Sequence, residues 1–468
     1  MVYNRIMNPN NQTPQQPIPQ PQLNAQPASD ATFKFLSYYF DRRTLTANFV
    51  YQGIDNIIFS EKVSFATMEH RHFNITDDPS LNQLLDRALF LAFILIGTSY
   101  YKAHPTTEVK LDLPLDEWQA GFFNKVYQEG LSQFAFQNGL TRDHLAHFHA
   151  KPGYQAPPTI LFKGGGILGL QSGGKDSLLT AALLEEKQTR FYPWYVSSAA
   201  DRSHPAVIDH LVTHQAALVA HRQIDLTHLE QTGGLNGHVP VTYILKSLAV
   251  IQAILTGQNT ILTSIGQEGN EPHAMVGDLP VNHQWSKTWE AELLFAEYVH
   301  RYLTEGIQIG STLRSLSELK IAELFIRKCW IQYGFSFSSC NTANYKQGND
   351  TTTLRWCGEC AKCLNTYILF SPFLAPPALQ ALFGDRDLYL ITKDTKPEIL
   401  QTFRGLLGVD NVMKPFECVG TIEELRAAYQ MRQPGFAALP LAVPPSNFDY
   451  NARYEMQNFI KELNLNFD

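Results

Sequence analysis

The segment Ser172-Gly173-Gly174-Lys175-Asp176-Ser177 constrains this chain more than any other, because it joins an apolar run, Ile167 to Leu170, to a helical pattern from Leu178 to Glu186. Adjacent glycines let a backbone turn with positive φ and aim several N–H groups at one point, while the N-terminus of the following helix adds a positive end. An anion suits such a turn, and a triphosphate is its natural guest; a glycine-rich turn without a ligand is the competing reading. The widespread phosphate loop G-x-x-x-x-G-K-[ST] is approached by Gly169 to Lys175, but Asp176 stands where that motif needs its Mg²⁺-binding hydroxyl.

At 468 residues the chain exceeds the size of one usual core, so two or three folded units are expected. A net charge of −7 and a pI near 6.1 give no electrostatic case for nucleic acid, whose binders carry a basic excess or stripe. The most apolar stretch, Ala88 to Gly97, is about half the ~20 residues that a bilayer-spanning helix needs. It reads as a buried helix, with no membrane partner. No basic-then-apolar signal opens the chain, and three of the six cysteines crowd into residues 357–363. Both features favour a reducing cytoplasm over a disulfide framework.

Residues 1–30 are rich in Pro, Gln and Asn and cannot bury enough surface to offset ordering entropy, so a disordered tail is expected there. Residues 31–155 read as an N-terminal α+β domain. Phe33-x-Phe35, Ala47-x-Phe49-x-Tyr51 and Val63-x-Phe65 alternate as half-buried strands do, and Leu81 to Lys102 and Leu115 to Asn138 carry helical periodicity. A polar, proline-containing linker, Thr141 to Pro158, follows. Residues 156–375 then alternate strands (Ile160 to Leu170, Tyr192 to Ser197, His221 to Leu226, Thr260 to Ser264) with helices (from Lys175, near Val207 to Ala220, Val241 to Leu255). Strict alternation implies a parallel sheet whose ligands lie beyond the C-terminal strand ends. The Ser172 loop is at such an end, and Ser197 to Ser203 and Ser264 to Gly269 share that rim. Residues 376–468 are expected to form a C-terminal α/β extension.

Cys357-Gly-Glu-Cys360-Ala-Lys-Cys363, with Cys340 upstream, is the second strong signal. Paired C-x2-C steps aim thiolates at one point, and soft sulfur ligands suit tetrahedral zinc, with an iron–sulfur cluster as the competitor. Cys329, in a helical pattern from Leu319 to Tyr333, and Cys418 read as core thiols. Between the two motifs lies Val281-Asn282-His283-Gln284-Trp285-Ser286-Lys287, ahead of a helix expected from Trp289 to Leu303. His283 is the leading candidate for a general base, since imidazole titrates near neutrality; Lys287, His238, Glu268 and Asp278 are the others. Asn282, Lys287 and Arg314 are candidate substrate contacts, the last through its bidentate fork.

The loop S-G-G-x-D-S resembles the signature of the ATP pyrophosphatases, which cleave ATP between the α and β phosphates. With the cysteine cluster it is similar to 7-cyano-7-deazaguanine synthase and, more distantly, the tRNA-thiolating enzymes. Further blocks point elsewhere: Gly97 to Ala103, Gly130 to Leu140, His238 to Thr242, Val281 to Lys287, Arg355 to Cys363 and Lys414 to Gly420. Together these resemble the ATP-dependent UDP-N-acetyl-α-D-muramoyl-L-alanyl-L-glutamate epimerases of peptidoglycan precursor synthesis. Gly266 to Pro272 departs from that pattern, as does the Pro/Gln tail.

The resemblance implies an α/β fold with a parallel-sheet, adenine-nucleotide-hydrolase-like (PP-loop) domain. It implies an isomerase that turns the terminal L-glutamate of a soluble UDP-muramoyl dipeptide into D-glutamate, with ATP consumed to AMP and diphosphate through an acyl-adenylate. Ser172, Gly173, Gly174, Lys175, Asp176 and Ser177 would bind ATP, Asp176 would hold Mg²⁺, and Cys340, Cys357, Cys360 and Cys363 would hold structural Zn²⁺. A nucleobase- or tRNA-modifying ATP pyrophosphatase is the alternative reading.

Overall fold

The computed structural model describes residues 32–67, 78–211, 215–225, 233–346 and 352–454, with 463, 465 and 467. The expected N-terminal tail lies outside the described residues. The chain begins with three antiparallel strands, β1 (Phe33–Asp41), β2 (Thr46–Gln52) and β3 (Ile58–Ser64). Their inward positions Phe33, Phe35, Phe49, Tyr51 and Val63 are buried, as the alternation predicts. Helix α1 (Pro79–Tyr101) starts where Asp78 accepts from the Ser80 and Leu81 amides and Pro79 fills the first turn. By length and composition it could cross a membrane, in contrast to the shorter run read from sequence, yet most of its apolar surface is buried inside the protein.

The short edge strand β4 (Val109–Leu111) precedes α2 (Glu117–Gln128) and α3 (Ser132–Gln137). The single helical pattern from Leu115 to Asn138 is thus broken. The break spans residues 129–131 and includes Gly130, where a Cβ would stand 2.3 Å from the Val126 carbonyl.

Next come β5 (Ile167–Leu170), α4 (Lys175–Glu186), β6 (Tyr192–Ser197), β7 (Leu218–Ile224), α5 (Val241–Thr256) and β8 (Thr260–Thr263). The helix expected near Val207 to Ala220 is absent from the described part of that segment. A short 3-10 turn, Ala206–His210, occupies its start, and Leu218 to Ala220 pair instead with Trp194 to Val196. Ladder hydrogen bonding in a buried sheet has overridden the helical periodicity.

A small hairpin, β9 (Ala274–Val276) and β10 (Leu279–Val281), leads to α6 (Trp289–Tyr298), which finishes in a π-helical turn, Val299–Leu303. Then follow β11 (Gln308–Ser311), α7 (Glu318–Tyr333), α8 (Ala361–Phe370), α9 (Pro376–Ala381), α10 (Pro397–Leu407) and α11 (Ile422–Gln430). The segment after residue 376, expected as α/β, is helical and extended with no strand among the described residues. At Tyr389 the amide bonds to Asp387 Oδ1 rather than to a ladder partner.

Nine strands form one mixed sheet in the order β11-β8-β5-β6-β7-β3-β2-β1-β4. The five from β11 to β7 are parallel, and β3 joins β7 antiparallel. The sheet therefore runs unbroken past the boundary expected near residue 155. Its two faces carry two cores. Leu168 and Ile261 face one, with α1 and α5; their neighbours Ile167 and Leu262 face the other, with α4, α7 and α8. A period-two strand buried on both sides divides its residues in this way.

The β3–β7 seam holds a buried ion pair. Arg222 Nε donates to Glu61 Oε1 at 2.6 Å, its Nη2 donates to Glu61 Oε2 at 3.1 Å, and Tyr100 Oη donates to the same Oε2 at 2.8 Å. Glu61 is fully buried, and every one of these bonds is charge-assisted.

Candidate active site

Strand β5 has β6 on one side and β8 on the other, and the chain proceeds outward in both directions from it. That is the topological switch point of an open α/β sheet, where the loops after neighbouring strands part and leave a crevice. The loop Gln171–Gly174 follows β5 there, and residues 264–270 follow β8.

The loop is tightly built. Gly173 has φ +73°, a conformation glycine alone adopts readily, and a Cβ there would stand 2.6 Å from Leu354. Gly174 is the N-cap of α4, and Ser177 Oγ donates back to the Gly174 carbonyl at 3.1 Å while accepting from the Ser172 amide at 3.4 Å. Ser172 is exposed, Asp176 half-buried, and Gly173, Gly174, Lys175 and Ser177 buried.

Lys175 Nζ lies 2.6 Å from Asp176 Oδ1 and 2.8 Å from Glu318 Oε1. Burial alone would lower its pKa, but those two carboxylates outweigh it and hold the ammonium above its ordinary value. Glu318 is pushed up to about 8 by burial, with Glu268 and Asp176 adding to the effect and Lys175 opposing it. Glu268 is also raised, by burial first and then by Asp176, against Lys287 and Lys175. Its Oε2 is buried without a hydrogen-bond partner. Glu318 in turn donates its amide to Glu424 Oε1 at 2.8 Å, and Glu424 forms the capping box of α11 with Thr421. Glu268 was among the candidate bases read from sequence, whereas Glu318 and Glu424 were not singled out, because an isolated Glu at a helix start reads as a dipole complement.

The Val281–Lys287 block lies against residues 267–270. Asn282 Nδ2 donates to the Gly269 carbonyl at 2.9 Å and its Oδ1 accepts from the Gln284 amide at 2.8 Å, so the residue shapes the turn from a buried position. Arg314 is likewise internal. Its two terminal nitrogens donate to the Gly266 carbonyl at 2.7 Å, the Lys287 carbonyl at 2.9 Å and Glu292 Oε2 at 2.7 Å. That fork, expected to meet a ligand, braces the residues around Lys287 instead. Asp278 is exposed on the β9–β10 turn, 3.2 Å from Arg142 Nε.

Three histidines gather beside the block. The His238 and His283 rings are 4.2 Å apart and His273 lies 6.3 Å from His283. His283 Nδ1 is 2.6 Å from Gln133 Oε1 of α3. Burial, then the neighbouring His283, Lys287 and Lys102, lowers His238 to about 3. Burial, then Lys414, His283 and His238, lowers His273 to about 3 as well.

Lys287 Nζ donates to Cys418 Sγ at 3.2 Å. Cys418, expected as a core thiol, is half-buried and accepts this hydrogen bond. Cys329 is the core thiol: fully buried, its sulfur 3.9 Å from the Leu178 carbonyl, its pKa raised to about 12 by burial.

The remaining cysteines converge. Sγ atoms of Cys340, Cys357, Cys360 and Cys363 all lie within 4.8 Å of one another. The closest pairs are 3.7 Å (Cys340–Cys360), 3.6 Å (Cys357–Cys363) and 3.5 Å (Cys360–Cys363). Four thiolates about 2.3 Å from a tetrahedral zinc stand ~3.8 Å apart, so this donor set fits that ion. Amides of Ala343, Gly358, Glu359 and Cys360 donate to these sulfurs at 3.3–3.4 Å, as expected around thiolate ligands. Gly358, at φ +73°, makes the turn between the first two ligands of the run.

Fold and site together define a three-layer α/β protein with a charged cluster at its switch point and a four-thiol centre beside it. Residues 24–311 match the MurL N-terminal domain and residues 336–436 the MurL C-terminal domain. Curated proteins named UDP-N-acetyl-alpha-D-muramoyl-L-alanyl-L-glutamate epimerase are similar to the chain. The protein from Micromonospora sp. is 34% identical over 73% of each chain. That from Salinispora tropica is 32% identical over 76% of each. That from Xanthomonas oryzae pv. oryzae is 29% identical over 94% of this chain and 91% of its own. No solved structure matches. The chain belongs to the MurL family and is an isomerase of the epimerase type.

Proposed function

We propose that this protein inverts the terminal L-glutamate of UDP-MurNAc-L-Ala-L-Glu to D-glutamate, consuming ATP to AMP and diphosphate. The observation that carries the ATP dependence is the Ser172–Ser177 loop at the switch point, with Lys175 charged and buried between two carboxylates. The similarity to proteins named for that dipeptide supports the substrate.

The chemistry needs activation. A Cα–H beside an ionised carboxylate is a very weak acid, since its carbanion places two negative charges together. Joining the α-carboxylate to AMP removes one charge and makes the carbonyl an electron sink. In this reading the Gly173 and Gly174 amides and the α4 N-terminus cradle the phosphates, and Lys175 neutralises charge developing on the leaving diphosphate. Asp176 would hold Mg²⁺, a hard ion suited to carboxylate and phosphate oxygens, which supplies further charge neutralisation there. The orphaned Glu268 oxygen beside Asp176 fits a site built for such a group. Cys340, Cys357, Cys360 and Cys363 would hold a structural zinc that ties α8 to the segment beside the loop. His283 is assigned proton transfer at the substrate Cα, with Lys287 facing the substrate and Asn282 and Arg314 fixing the turn that presents both.

The test is incubation of the protein with UDP-MurNAc-L-Ala-L-Glu, ATP and Mg²⁺, then acid hydrolysis, chiral chromatography of glutamate and an AMP assay. D-Glutamate appearing together with AMP supports the reading. AMP formed only on adding a carboxy-deazaguanine or a tRNA would replace it with a nucleobase-modifying activity.

A further inference from the structure

Lys287 Nζ approaches Cys418 Sγ at 3.2 Å. An ammonium is donor only, so this contact favours the thiolate form of the sulfur. The residues on either side of Cys418 are held by hydrogen bonds from several directions. Gln284 Nε2 donates to the Val419 carbonyl at 3.1 Å, Asn341 Nδ2 to Glu417 Oε2 at 2.7 Å, and Gly420 donates its amide to Asn365 Oδ1 at 2.9 Å. The thiol stands outside the four-sulfur centre, on a half-buried residue.

A second observation points to a ligand at the same place. Gln284, 1% exposed, and Glu268, 7% exposed, each keep a side-chain oxygen without a hydrogen-bond partner. Buried polar atoms are rarely left so unless something else meets them. The two residues are neighbours, since the Gln284 amide also reaches the Glu268 carbonyl at 3.5 Å. Glu268 and Lys287 both feel the charge of Asp176 in the ATP loop. Lys287 thus has the thiol, Glu268 and Asp176 of the loop as its charged neighbours.

We propose that Cys418 is a catalytic residue of the inversion: its thiolate takes the proton from the glutamyl Cα on one face, with Lys287 as its charge partner. The assignment rests on the epimerase reading above. The Cα–H bond breaks, the S–H bond forms, and the electron pair moves onto the carbonyl oxygen of the adenylated carboxylate. His283 then delivers a proton to the other face of Cα to give the D-centre. Cys418 then releases its proton to water while His283 takes one up, so no net proton is consumed. Electrostatics agree: burial would raise the Cys418 pKa, but Lys287 and then Lys362 more than offset it against Glu417, leaving it below the usual thiol value.

Two measurements on the full-length protein test the proposal. The first compares Cys418→Ser and Cys418→Ala with the parent for AMP release, D-glutamate formation and deuterium uptake at Cα. Expected are AMP release within about threefold of the parent and a loss of inversion and exchange of at least ~100-fold. Inversion at the parent rate in Cys418→Ser overturns the role of Cys418 while leaving the epimerase reading intact. Absence of D-glutamate from the parent itself overturns both. The second follows iodoacetamide alkylation of the Cys418 peptide by mass spectrometry against pH. A midpoint below the ~8.5 of a free thiol, moving upward in Lys287→Met, supports the pair; a midpoint unmoved by that substitution overturns it. This readout does not depend on turnover.

Discussion

The Lys175 ammonium lies 2.8 Å from the Glu318 carboxylate, which joins the first residue of α4 to the first residue of α7 across 143 positions of sequence. Both side chains are almost wholly buried. Removing one partner of such a pair strands the other in a medium that solvates it poorly, at a cost of about 3–5 kcal/mol. Lys175→Met should therefore lower stability in urea unfolding by an amount of that order and reduce AMP release by at least ~100-fold. Adding Glu318→Gln should restore much of the stability and none of the AMP release. Recovery of both would show the lysine to be structural alone.

The seam between β3 and β7 gives a stability prediction remote from the site. Arg222→Met leaves Glu61 buried with only the Tyr100 hydroxyl, so a loss of about 3–5 kcal/mol is expected. The double variant Arg222→Met/Glu61→Leu should recover a large part of it, because no charge is then left unpaired. Equal instability of single and double variants in urea titrations would mean that packing at the seam, and not the charge, dominates.

The four-thiol centre predicts one zinc per chain by elemental analysis, with little iron. Cys360→Ser should lose the metal and lower the melting temperature, and a strong chelator should do the same to the parent. Stoichiometric iron with visible charge-transfer absorption would reassign the centre to an iron–sulfur cluster.

His238 and His273 supply a pH dependence. Their folded-state pKa values, about 3, lie below the ordinary 6.5. The unfolded chain therefore binds more protons between those values. Stability from this source is complete above pH 6.5 and is lost as pH falls toward 3, each histidine adding up to about 1.4 kcal/mol per pH unit to the slope. Melting temperatures measured from pH 7 to 4 should fall less steeply in His273→Asn than in the parent. Parallel curves would show that His273 is charged in the fold.

Sequence alone determined the parts of the protein whose chemistry is local. A strand, two glycines and a helix in succession make a tight turn that aims backbone N–H groups at one point, and closely spaced cysteines converge because the turn between them is short. The β1–β3 strands and the helix from Val241 were legible for the same reason, since burial on one face or one stripe imposes a period. Tertiary structure decided what depends on residues distant in the chain. It converted the pattern after Val207 into β7 through pairing with β6, and it ran one sheet past the expected domain boundary. It turned Arg314 inward onto Glu292, and it brought Cys418 to Lys287 from 131 positions away. A side chain's protonation and reactivity are set by what stands within a few ångströms of it, and those neighbours are fixed only when the chain has closed on itself.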